Sequence, residues 1–124
     1  MKGALEKAAQ KLQAAEQLLK LGYYDDTVSR AYYCAFHVAQ AILSTEGLEA
    51  RTHQGIVNLF GLHFVKTGKF GKEFGKYLAN LKDDRENGDY EIYSAIDQET
   101  ARHAVDEAAK FFKEAQRFLS PFLQ

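Results

Sequence analysis

The sequence predicts an all-α protein: an antiparallel up-down bundle of four long helices plus a short helical segment. Three observations carry this. Apolar residues recur at three- and four-residue spacing along most of the chain, the period of a single helix face. No stretch alternates apolar with polar residues, as a half-buried strand would. The single proline, Pro121, lies near the C-terminus, so ring sterics break no helix before it and Gly, Asn and Asp must punctuate the chain. Several amphipathic helices bury their stripes most simply against one another.

The first helix spans roughly residues 2 to 21, where Leu5, Ala8, Leu12, Ala15 and Leu19 form one stripe. Gly22 suits a left-handed C-terminal cap. Asp25 or Asp26 can then cap a second helix, accepting bonds from its first free amides. That helix runs to about Thr45, with Gly47 as its stop. In it Ala31, Ala35 and Ala39 make a seam of small residues that admits a neighbouring helix closely, flanked by the bulk of Tyr32, Phe36 and Leu43. Thr52 caps a third helix carrying Ile56, Leu59, Phe60 and Phe64, which Gly68 ends.

The basic, glycine-rich run Thr67–Lys76 lacks the GxxxxGK[ST] order of a phosphate loop and follows no strand. It reads as a helix-to-helix connection. A fourth helix holds Tyr77, Leu78 and Leu81, passes near Arg85, and is interrupted or ended by Asn87-Gly88. Asp97 caps the last helix, whose apolar face includes Ala101, Ala104, Val105, Ala108, Phe111 and Phe112 and which Pro121 closes. The expected core includes Ala31, Ala35, Phe36, Ala39, Leu59, Phe60, Leu78, Val105 and Phe112.

The chain's 124 residues suit one domain, 1–124, with one core. A net charge of −1 gives no overall bias toward nucleic acid, although a local basic patch is compatible with it. Cys34 is the only cysteine, which excludes an intramolecular disulfide and paired-cysteine metal sites and suits a reducing compartment. No apolar run approaches the roughly 20 residues that span a bilayer, and the amphipathic start lacks the apolar core of a secretory signal. The expected location is the cytoplasm, with no membrane partner.

Three motifs stand out. SRAYYCAFHVAQAIL, Ser29 to Leu43, crowds Arg30, Tyr33, Phe36 and His37 onto one helix; RTHQG follows at Arg51 to Gly55, and RENGDY at Arg85 to Tyr90. Arg30 and His37 are seven apart, about 20° out of register on one face, with Tyr33 and Gln40 beside them. Two readings stay open for this stripe: a groove that receives an anion, or an exposed polar face with Tyr33 at its edge. His53 follows a cap, where it orients the loop or meets an anion at the helix start. Arg85 and Asp89 have the spacing of a helical ion pair, and Tyr90 and Tyr93 are suited to stacking or to a dimer seam. His63 and His103 show no ligand spacing with a carboxylate, so neither a metal nor another cofactor is expected.

In their order, AYY with a Phe-His pair, then THxG, then RxxxDY, these motifs resemble the HEPN family of small helical domains, from about Leu18 to Phe112. The resemblance implies a helical bundle, a homodimer, and a separate minimal nucleotidyltransferase partner in a toxin–antitoxin-like system. It also implies that the bundle binds nucleotide or RNA, or accepts a nucleotide on a tyrosine, for which Tyr90 is the nearest candidate. Many members are metal-independent ribonucleases whose motif is an arginine followed, after four to six residues, by a histidine. After Arg85 those positions hold Tyr90, Glu91 and Ile92. A histidine matters there because its pKa near neutrality lets it exchange protons, whereas arginine stays protonated. The expectation is therefore a binding module with weak or no catalysis. The alternatives are a ribonuclease toxin using Arg85 with another proton carrier, and a non-catalytic scaffold. The candidate binding residues are Arg85, Asp89, Tyr90, Arg30, Tyr33, His37 and His53.

Overall fold

A computed structural model describes residues 1–90 and 96–123, the side chains of Asp89 and Tyr90 excepted. It is all-helical among those residues. The long helices are α1 (Lys2–Leu21), α2 (Tyr24–Ser44), α4 (Lys72–Tyr90) and α5 (Gln98–Leu119); α3 (His53–Phe60) is short and runs into a π-helical turn at Gly61–Val65. No described helix is long and apolar enough to cross a membrane.

The local stops are where glycine is needed. Gly22 sits at φ 84°, and the amides after α1 return to the Leu18 and Leu19 carbonyls. Gly47 and Gly68 also take left-handed φ values, 69° and 82°. Thr52 caps α3, its hydroxyl accepting from the Gly55 amide at 2.9 Å, and Asp97 caps α5, accepting from the Thr100 amide at 2.7 Å. Each satisfies one amide that the helix start leaves free.

Two expectations about helix ends need correction. Neither Asp25 nor Asp26 caps α2; the helix starts directly after the Gly22 turn, with Tyr23 at its boundary and both aspartates already in the first turn. There they complement the positive end of the helix dipole, and Asp25 accepts the Ile96 amide at 3.1 Å, tying the approach to α5 onto α2. Asn87-Gly88 does not end α4, which continues to Tyr90. Gly88 sits in regular helix with room for a side chain: a Cβ there would make ordinary contact, 3.5 Å from Ile96 and 3.6 Å from Val28.

Cross-helix neighbours establish the directions. Glu16 acts on Cys34, while Lys7 and Lys11 act on His37, so α1 and α2 run antiparallel. Arg85 meets Tyr32 and Tyr33, and Gly88 meets Val28, so α4 runs against α2. Asn80 donates to Glu107 at 3.0 Å and Asp84 lies by His103, so α5 runs against α4. The central α2 is buried from Thr27 to Leu43 on most of its surface, its alanine seam included. A second cluster forms where Phe60, Phe64, Phe70 and Phe111 meet, with ring centroids 5.1–6.4 Å apart. Leu59 and Phe112 are only half-buried at the core's edge. Each is one residue, about 100° of helix, from the aromatic that takes the inward place, Phe60 or Phe111.

Candidate functional site

The site begins with a buried tyrosine. Tyr32 is fully enclosed within α2 packing, and a buried phenol requires a partner for its hydroxyl. That partner is His53 Nδ1. The Thr52 cap makes His53 the first residue of α3 and so sets the imidazole against α2. The ring also meets Phe36 edge-on, centroids 5.2 Å apart.

From the other side, α4 supplies Arg85. Its guanidinium carbon lies 4.9 Å from the centre of the Tyr32 ring and 5.3 Å from that of Tyr33, within the range of a cation–π contact. The two tyrosine rings stand edge to face, 4.9 Å apart. On the same helix face, Lys82 and Glu86 form an ion pair at 2.8 Å, so Arg85 is flanked by one further cation and one carboxylate.

The electrostatics follow from this packing. Burial pushes the Tyr32 hydroxyl up to about 12, with Arg85 opposing the rise by charge and hydrogen bonding. The phenol therefore keeps its proton. His53 moves the other way: partial desolvation, then the charges of Arg85 and Lys82, lower its pKa, with Glu86 resisting. A protonated phenol beside a neutral imidazole makes Tyr32 the donor and Nδ1 the acceptor, which leaves the ring proton on Nε2. The outer edge of an otherwise exposed imidazole then offers an N–H beside a fixed guanidinium. Such a pair can hold a phosphate oxygen.

Arg85, Tyr33 and His53 of the candidate residues thus share one cluster. His37 is half-buried, its ring 6.4 Å from that of Tyr33, and lies toward α1, where burial and then Lys7 and Lys11 lower its pKa. Arg30 and Gln40 are exposed at the two ends of the stripe. Asp89 and Tyr90 lie on the last turn of α4; their side chains, and Tyr93, fall outside the described residues, as does the proposed Arg85–Asp89 pair. Tyr32 is the residue that sequence reasoning treated as bulk alone. The signal that could have found it is a tyrosine amid apolar helix positions, whose hydroxyl demands a polar partner.

Comparison with known proteins agrees with this architecture. The model of the HEPN domain matches residues 1–118. A UPF0332 protein of Pyrococcus horikoshii is 41% identical over 76 residues, 61% of this chain and 54% of that protein, so the chain spans about half of that relative's length. Two Methanocaldococcus jannaschii proteins named "Putative toxin" match more fully. One is 30% identical over 93% of this chain and 78% of its own length, the other 33% over 96% and 88%. With a family match over nearly its whole length, and an all-helical fold to go with it, this chain belongs to the HEPN family.

Proposed function

We propose that this chain is a dimeric, cytoplasmic HEPN binding module that works with a separate minimal nucleotidyltransferase in a toxin–antitoxin-like system, and that Arg85 receives a phosphate group of a nucleotide or RNA. The observation that carries the site is the Arg85 guanidinium held on the rings of Tyr32 and Tyr33 beside His53. The toxin names of the two Methanocaldococcus relatives support a paired system. Arg85→Ala should weaken binding of ATP or a short RNA by about 10- to 150-fold, the range for losing a hydrogen bond to a charged group. Calorimetry on wild type and variant checks this; equal affinity in two intact folds rejects the site. Copurification with the nucleotidyltransferase from the neighbouring reading frame, followed by mass spectrometry of Tyr90, tests the partner and the acceptor tyrosine separately.

One observation favours a second reading, a metal-independent ribonuclease. His53, from α3, packs on Tyr32 as Arg85 does, and its outward Nε2–H can donate to an oxygen of the scissile phosphate while Arg85 neutralises the charge that develops there. RNA cleavage by clean protein in chelator, lost in both His53→Ala and Arg85→Ala, supports it. No cleavage by wild type leaves the binding module.

A further inference from the structure

The seam between α4 and α5 has two ends of opposite character. One gathers Asn80, Asp83, Asp84, His103 and Glu107. The other is a groove of about 470 Å³ lined by Phe74 and Tyr77 from α4 and by Lys110, Lys113, Glu114 and Arg117 from α5. Three cations face one carboxylate there, and that carboxylate, Glu114, is already bonded to Arg117.

The aromatic wall is packed from behind by other rings. Phe74 packs edge-on against Phe70, Tyr77 and Phe111, with centroids 5.9, 5.7 and 6.4 Å away. Both Phe74 and Tyr77 remain half-exposed toward the groove, and Lys110, Lys113 and Arg117 are exposed along its rim. The helix dipole accounts for Arg117, which lies in the last turn of α5. That field falls off within a turn, so it does not account for Lys110 and Lys113. A protein-binding surface is the poorer fit, because lysine is depleted from protein interfaces. Cations that track phosphates beside a ring that stacks on a base are the pattern of single-strand nucleic-acid grooves.

We infer that this groove, on the α5 side of α4 and apart from the Arg85 cluster, binds a short stretch of single-stranded nucleic acid, phosphates on Lys110 and Lys113 and a base on Tyr77. RNA and DNA strands both offer phosphates and bases to this lining, so they share the chemistry. The carboxylates at the other end of the seam repel a polyanion and limit the footprint to a few nucleotides.

Fluorescence anisotropy with labelled oligouridylate and oligothymidylate of about six nucleotides tests this across a salt series. Lys110→Glu/Lys113→Glu, at exposed positions, should weaken binding at least about tenfold. It should also flatten the dependence of log affinity on log salt by about 0.7 for each phosphate that is no longer neutralised. Tyr77→Leu should weaken binding by about 5- to 150-fold and leave the slope unchanged. Lys2→Glu/Lys7→Glu, the same change of charge on α1, should alter affinity far less. Binding of either strand that follows this order supports the groove. The inference is overturned if neither strand binds, if the α1 control weakens binding equally, or if polyglutamate competes as well as the oligonucleotides, which would make this an acidic-protein surface.

Discussion

Asp84 and Arg85 are consecutive residues of α4, but their surroundings treat charge in opposite ways. Arg85 faces α2, where the electron-rich faces of Tyr32 and Tyr33 accept a cation. Asp84 faces α5, where burial first, then the like charges of Glu107 and Asp83, push its carboxyl up to about 6. One residue along a helix is about 100° of rotation, enough to exchange one neighbouring helix for another. A half-buried charge is kept or suppressed by that neighbour: a π-face offers a cation partial compensation for lost water, while a second carboxylate offers an anion none.

The largest test removes the surface beneath Arg85. Tyr32→Ala should cost about 3–5 kcal/mol, as for other large buried aromatics, measured by urea denaturation. Tyr32→Phe keeps the ring under the cation and should cost only about 1 kcal/mol. In that variant the His53 pKa, followed by NMR, should rise, because the donor that favours the neutral imidazole is gone. An unchanged His53 titration would mean that the Tyr32 hydroxyl does not hold the imidazole.

A smaller effect is expected on the other face. The folded-state pKa of Asp84 is raised from 3.8 to about 6, so its contribution to stability is fully present below the unfolded value and is lost as pH rises through the folded one. Asp84→Asn should therefore be more stable than wild type by about 1 kcal/mol at about pH 8, after discounting for partial exposure, and nearly equal to it at about pH 4. Thermal melts at the two values check the sign, and a variant that is less stable at the higher pH would show the carboxylate to be stabilising.

The smallest expected change sharpens the α2-facing side. Gly88 lies one turn beyond Arg85 within the helix, where an added methyl would make ordinary contact with Ile96 and Val28. Gly88→Ala should raise stability by about 0.5–1 kcal/mol through helix propensity, visible as a modest increase in melting temperature. A decrease would mean that α2 and α4 depend on the glycine for their approach.

The candidate site was partly legible. Arg85 and His53 stood out as residues in motifs, and Thr52 as a cap, but nothing along the chain joins residue 53 to residue 85. The joining atom is the Tyr32 hydroxyl, bonded to a residue 21 positions away. His37, picked out by its heptad spacing with Arg30, lies on the same helix as Tyr32 yet is turned toward Lys7 and Lys11 of α1. Spacing along a helix reports a common direction, whereas membership of a site also depends on which helix covers that part of the face.

The sequence by itself determined the helix spans and most of their ends: the Gly22, Gly47 and Gly68 stops and the Thr52 and Asp97 caps. These are decided within three or four residues, by a left-handed φ or by a side chain accepting a nearby amide. Only the tertiary structure decided that Phe60 and Phe111 take the inward places while Leu59 and Phe112 stay at the edge. It alone carried α4 through Gly88 and assigned Tyr32 its partner. Each of these choices lies between positions of similar local propensity, and the helix that packs against them selects one by filling space or supplying a hydrogen bond.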